Sequence, residues 1–236
     1  MLLEVCVEDA EGLAAAIAGG ADRIELCSAL AVGGLTPSAG LMACAARHPV
    51  PAYAMIRPRA GSFQYTADEI EVMKADIDAA GQAGLAGVVL GASLRDGRLD
   101  ADTLETLAEH ASGLGRTLHR AFDLVPEMTE AIELAVSLDF DRILTSGRAA
   151  TAWQGVDDLE RAIDIAAGRV SIMPGSGVNV KTIGSLIPRL KITEIHASCS
   201  VAAEEADGRA LALGFAVSGA RRTDAATVRA LKARLV

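Results

Sequence analysis

Leu2-Leu3-Glu4-Val5-Cys6-Val7, a helical stretch over Ala10–Ala18, and Gly20-Ala21-Asp22-Arg23-Ile24-Glu25-Leu26-Cys27 form the segment whose reading decides the fold. The two short apolar runs read as strands and the longer stretch between them has helical period, so the whole is a crossover unit of a parallel sheet. The same unit recurs along the chain. Strands are expected at Leu2–Val7, Arg23–Cys27, Ala52–Arg57, Gly87–Gly91, Arg116–His119, Arg142–Thr145, Val170–Met173 and Thr193–Ala197. Helices are expected at Ala10–Ala18, Ser38–Arg47, Ala67–Ala83, Asp102–Ala111, Glu127–Leu138, Val156–Ala167, Val180–Leu186 and Asp224–Leu235, many opened by an acidic or hydroxyl residue. Eight βα units close a barrel, so the expected fold is α/β, a single (β/α)8 TIM-like barrel with residues 1–236 as one domain.

At 236 residues and 51% apolar, the chain can bury one substantial core, and no Pro/Ser-rich or low-complexity stretch marks a linker. A formal net charge of −9, with no basic cluster beyond Arg221-Arg222, would repel a phosphate backbone and argues against nucleic-acid partners. Glu4, Glu8, Asp9 and Glu11 stand where a signal peptide would have a basic start and an apolar run, so a cytoplasmic protein is expected. The charge-free stretch Leu26–Ala46 is broken by Gly33-Gly34 and Thr36-Pro37, which makes it a loop followed by a helix, not a membrane span. Cys6, Cys27, Cys44 and Cys199 lack C-x-x-C spacing and are expected as free thiols, with Cys44, amid alanines on a helix, structural.

Two strands enter through the same triplet, Asp22-Arg23-Ile24 and Asp141-Arg142-Ile143, half a barrel apart, and Thr193-Glu194-Ile195 follows it loosely. The connection from Ser198 to Thr223 is long and glycine-broken, and is expected over the barrel mouth or at an interface between copies.

In such barrels the site is built from the C-terminal strand ends and the loops that follow them. Strand side chains alternate, so Glu4 and Cys6 share one face, as do Glu25 and Cys27, and Val5 and Leu26 take the helix-facing side. Both carboxylates and both thiols are therefore expected inside the barrel, on strands about 4.8 Å apart, where Cys6 and Cys27 could share a soft ion such as Cu(I) or simply act as small buried hydrophobes. Arg57 or Arg59 is expected to neutralise Glu4 or Glu25. His119 and His196 end strands and are candidates for acid–base work with Glu25 or Asp123 as partner. Met173-Pro174-Gly175-Ser176-Gly177-Val178-Asn179 reads as a glycine turn opening a helix, an anion cradle at Gly175, Ser176 and Gly177 or a tight turn alone, with Thr145-Ser146-Gly147 beside it.

Glu4-Val5-Cys6-Val7, Gly20-Ala21-Asp22-Arg23-Ile24-Glu25-Leu26-Cys27, Gly33-Gly34-Leu35-Thr36-Pro37-Ser38, Met55-Ile56-Arg57-Pro58-Arg59, His119-Arg120-Ala121-Phe122-Asp123, Leu144-Thr145-Ser146-Gly147 and Met173-Pro174-Gly175, in this order, resemble the CutC family. The resemblance implies a cytoplasmic barrel protein named for copper homeostasis and a homo-oligomer, a dimer or tetramer, and makes Cys6 and Cys27 the candidate Cu(I) ligands. Where relatives commonly read Gly-Gly-Asp-Phe, this chain has Ala60-Gly61-Ser62-Phe63 and lacks a carboxylate near Arg59.

Two functions follow. The first is a Cu(I)-binding protein using Cys6 and Cys27, with no organic cofactor. The second is an enzyme acting on a small anionic or phosphorylated metabolite, with Arg57, Arg59 and Gly175–Gly177 as anion anchors and His119 or Glu25 as acid/base. Neither involves a membrane.

Overall fold

The computed structural model describes residues 1–204 and 206–235; Glu205, within the 198–223 connection, and Val236 lie outside the described residues. Strands β1 (Leu2–Val7), β2 (Arg23–Leu26), β3 (Ala52–Met55), β4 (Gly87–Leu90), β5 (Gly115–Leu118), β6 (Arg142–Thr145), β7 (Ser171–Pro174) and β8 (Glu194–Ala197) form one parallel sheet in the order β7-β6-β5-β4-β3-β2-β1-β8. The sheet curls into a nearly closed barrel: β7 and β8 come side by side, but no backbone ladder joins them among the described residues.

Helices α1 (Ala10–Gly19), α2 (Ala39–Ala45), α3 (Ala67–Ala83), α4 (Ala101–His110), α5 (Met128–Ser137), α6 (Val156–Ala166) and α7 (Ile183–Leu186) occupy the crossovers. The residues before them explain several starts. Asp9 accepts from Gly12 N at 2.6 Å, and Thr66 and Glu69 form a reciprocal capping box at α3. The main core lies between the strands and these helices, where Leu3, Val5, Ile24 and Leu26 are fully buried with Met73 and Ile77 of α3. Each such side chain contributes about 1.5–3 kcal/mol. No described helix is long and apolar enough to cross a membrane.

After β8 the chain makes an antiparallel pair, β9 (Ser200–Ala202) with β10 (Arg221–Thr223), around the short α8 (Gly208–Ala212), and ends in α9 (Ala225–Lys232). This is the long connection of the sequence. It contributes Ser200 and Arg221 to the barrel mouth and carries an exposed apolar run at Leu213, Phe215 and Val217.

The barrel interior begins at its base with charged residues. Arg23 pairs with Glu4 and, at 2.5 Å, with Glu194; Arg142 lies 3.3 Å from Glu194 and donates to Thr117 Oγ1 at 2.9 Å. The Tyr53 ring lies under both guanidinium groups, at 5.4 and 4.9 Å. Gly87 and Gly115 leave its space open, since a Cβ at either position would overlap Tyr53 ring atoms. The repeated Asp-Arg-Ile triplets thus meet at one place. Their acids play one role as well: Asp22 accepts from Leu3 N at 2.7 Å and Asp141 from Arg116 N at 2.8 Å, each steadying the preceding strand. This layer corrects one expectation. Glu4 is neutralised by Arg23, and Arg57 and Arg59 make no ion pair with Glu4 or Glu25 among the described residues.

Candidate functional site

Above the charged base, a cavity of about 640 Å³ opens at the C-terminal ends of the strands. Cys6, Glu25, Arg57, His119 and His196 all line it, as do Ser176 and Gly177. Cys27 and Arg59 do not.

One side is built from β1, β2 and β8. Pairing of Cys6 with Glu25 and of Glu4 with His196 across the parallel ladders places four inward side chains together. His196 Nδ1 is 2.8 Å from Glu4 Oε1, and its Nε2 is 3.9 Å from Glu25 Oε2. One ligand atom each from Cys6, Glu25 and His196 lies within 4.8 Å of the others. Burial acts to raise the Glu4 pKa, but the His196 hydrogen bond and the Arg23 charge outweigh it and hold the carboxyl at about 2. Burial, reinforced by Glu4, raises the Glu25 carboxyl against the pull of His196. Burial opposes the His196 charge, yet Glu25, Cys6 and Glu4 outweigh it and push its pKa well above the ordinary histidine value.

The expected pair of thiols has a different environment at each member. Cys27 is fully buried with Met55 and Val89, its Sγ packs against Gly34, and it donates to Glu25 Oε2 at 3.4 Å. Burial, then the Glu25 charge, lifts its pKa well above that of an ordinary thiol. Cys199, on the loop after β8, also lines the cavity, and burial pushes its thiol to about 12. All four cysteines are free, and Cys44 sits half-buried on α2.

A second group of side chains comes from the residues that follow β3 and β5. Arg57 follows β3, where its backbone is clamped to Thr36, and its Nη1 and Nη2 donate to the carbonyls of Val32, Gly34 and Gly61 at 2.8–3.0 Å. His119 follows β5; its Nδ1 accepts from Ala121 N at 3.1 Å, which places the ring proton on Nε2. Burial, followed by the neighbouring Arg57 charge, lowers its pKa to about 3, so it is neutral at any working pH. In this state the ring offers its Nε2–H as a hydrogen-bond donor and is a weak base. Phe63 packs on both, 4.6 Å from the His119 ring centre and 4.9 Å from the Arg57 guanidinium.

The other expected residues are placed as follows. Arg59 pairs with Glu69 and donates to the carbonyls of Ser62 and Gln64, so its fork organises the β3–α3 loop. Asp123 orients neither histidine: it pairs with Arg120 at 2.7 Å and accepts from Thr145, Ser146 and Arg148, tying the β5 and β6 loops together. The glycine turn does reach the cavity, with Ser176 and Gly177 at φ +67° and +71°. No helix opens from it directly, because Asn179 Oδ1 accepts from Lys181 N and Thr182 N and α7 starts only at Ile183. Sequence reasoning missed the roles of Arg23, Arg142 and Tyr53; the repeated triplet was the available signal for the first two.

Among the described residues, seven buried side-chain atoms have no hydrogen-bond partner, and three of them, Glu25 Oε1, Arg57 Nε and His119 Nε2, belong to residues that line the cavity. Nearly every buried polar group in a folded protein is satisfied, and these three are closed off from solvent, so a ligand atom reaches them only after a neighbouring side chain moves.

Residues 1–201 match the model described as the CutC family. The chain belongs to the CutC family. A CutC family protein of Rhizobium meliloti (strain 1021) is 66% identical over 99% of this chain and 95% of its own length. One from Agrobacterium fabrum is 56% identical over 98% and 93%. The crystal structure of a Streptococcus agalactiae CutC, named for copper homeostasis, superposes with a TM-score of 0.80 at 30% identity, covering 84% of this chain and 98% of that one. Thiamine phosphate pyrophosphorylase from Pyrococcus furiosus, with a TM-score of 0.60 at 12% identity, shares the CutC barrel fold alone.

Proposed function

We propose that the chain is an enzyme-type barrel that binds a small, oxygen-rich anionic metabolite in the 640 Å³ cavity and moves a proton on it. The observation that carries this is the trio of orphaned polar atoms on Glu25, Arg57 and His119. Arg57 supplies a buried positive charge with no carboxylate partner among the described residues, on a chain of net charge −9. A ligand's negative charge would balance it. Glu25 is the acid/base, since burial makes its carboxylate more basic and leaves Oε1 free. Thermal shift and calorimetric titration with phosphate, sugar phosphates and small carboxylates should give at least one ligand that raises the melting temperature, and Arg57→Gln should abolish the rise. Absence of any shift across the panel contradicts the reading.

A second reading is supported by the Cys6–Glu25–His196 group. Glu4 and Glu25 both face His196, and the negative charge they bring would favour a metal cation beside it. One sulfur, one oxygen and one nitrogen donor suit a borderline divalent ion better than Cu(I), which favours thiolates. The Cys27 thiol, protonated and off the cavity, would have to deprotonate and turn to serve Cu(I). Anaerobic Cu(I) titration of the wild type, Cys6→Ser and Cys27→Ser separates the cases. Loss of high-affinity uptake in both variants supports a two-cysteine copper site, and unchanged uptake in both removes it.

A further inference from the structure

The neutral His119 beside a positive Arg57 narrows the ligand class, and the argument rests on the small-molecule reading above. A site made for a permanent anion would gain from an imidazolium. Here the Ala121 amide occupies Nδ1, the ring is 3% exposed, and the proton left on Nε2 has no partner. Arg57, 5% exposed, has three carbonyls on its terminal nitrogens and only Nε unpartnered. Both residues lie against one Phe63 ring that also lines the cavity, and both unpartnered nitrogens are closed to the cavity in this arrangement. Two fixed N–H donors, one neutral and one cationic, suit an oxygen that carries little charge on arrival and more during reaction.

We propose that Arg57 Nε–H and His119 Nε2–H form an oxyanion-holding pair for the carbonyl oxygen of a small α-hydroxy- or α-keto compound, with Phe63 as the movable cover over both donors. When Glu25 Oε1 takes the hydrogen on the carbon beside the carbonyl as a proton, the C–H electron pair forms a C=C bond and the carbonyl π pair moves onto oxygen. The two N–H groups hold that oxygen. Return of the proton from the Glu25 carboxyl closes the step with no other reactant. His119 is in this account a neutral electrophile, and its imidazole never titrates.

The test compares planar oxyanions with neutral analogues: oxalate and glycolohydroxamate against glycolamide and glycerol, by calorimetry on the full chain. The planar oxyanions should bind at least about 100-fold more tightly, the worth of one or two charge-assisted hydrogen bonds. His119→Phe should erase the preference, and His119→Gln, which keeps an N–H donor, should restore part of it if the phenylalanine variant folds poorly. Long-range 1H–15N spectra should show His119 with a protonated Nε2 and an unprotonated Nδ1 throughout pH 5–9, and the Nε2 signal should move on oxalate binding. Equal affinity for hydroxamate and amide, or a His119 that titrates near neutrality, overturns the pair. If sugar phosphates raise the melting temperature while the planar oxyanions show no preference, this inference falls and the proposed function stands; if nothing binds, both fall.

Discussion

Gly91→Ala is expected to disable the site without replacing any group proposed to contact ligand. Gly91 follows β4, and a Cβ there would stand 2.5 Å from both Cε1 and Nδ1 of His119. Ordinary contact starts near 3.4 Å, so the imidazole must retreat by about 1 Å. Retreat on that scale stretches the 3.1 Å bond from Ala121 N and releases the ring from its fixed tautomer and direction. Overpacking of this kind costs about 1–3 kcal/mol, and each kcal/mol lowers the melting temperature by roughly 2–4 °C in a chain of this size. The functional loss is separate. A displaced donor forfeits about 1.5–3 kcal/mol of a charge-assisted hydrogen bond, roughly 10- to 100-fold in oxalate affinity. Circular dichroism melting reads the first quantity and calorimetric titration the second. A folded Gly91→Ala protein with wild-type oxalate affinity and an unchanged His119 15N spectrum would refute the placement of that ring.

Other outcomes follow from the same geometry. Glu4 is ionised in the fold down to about 2 and from 4.5 when unfolded, so its contribution is complete above pH 4.5 and is lost as pH falls toward 2. Glu25, raised by burial, has the opposite sign over part of this range, so the diagnostic quantity is the difference between wild type and Glu4→Gln. Urea unfolding should show that difference shrinking by about 3 kcal/mol between pH 5 and pH 2, and a constant difference would contradict the ion-pair assignment. Arg59→Ala should lower the melting temperature only slightly and leave oxalate affinity within a few-fold of wild type, because its largely exposed pair with Glu69 does not line the cavity. Arg221 lines the mouth, donates only to Ser200, and has no carboxylate partner among the described residues. Arg221→Ala should therefore weaken sugar phosphates several-fold more than oxalate, and equal losses would place it outside the specificity wall.

The barrel was legible because short, largely apolar strands alternate with helical segments, and eight such units are the count that closes a barrel. Alternation also placed Glu4, Cys6, Glu25 and Cys27 on the inner face. What alternation could not tell is what stands over them: the loop that carries Gly34 seals Cys27, whereas Cys6 stays on the cavity. Arg57 and Arg59 have the spacing of two side chains on one face, yet Pro58 follows a strand already ended at Met55, and alternation lapses there. Arg23 and Arg142 look like strand-entry charges at the water boundary. Their burial is explained only by Glu4, Glu194 and Tyr53, from strands distant in sequence, which converge on them.

The most direct measurement is a crystal structure of the wild-type chain grown with oxalate and with Cu(I) in parallel. The account predicts density for oxalate with one oxygen about 3 Å from both His119 Nε2 and Arg57 Nε, a Phe63 ring moved aside, and Glu25 Oε1 facing the ligand. An empty cavity in the oxalate crystal together with a copper ion bridging the Cys6 and Cys27 sulfurs would contradict it.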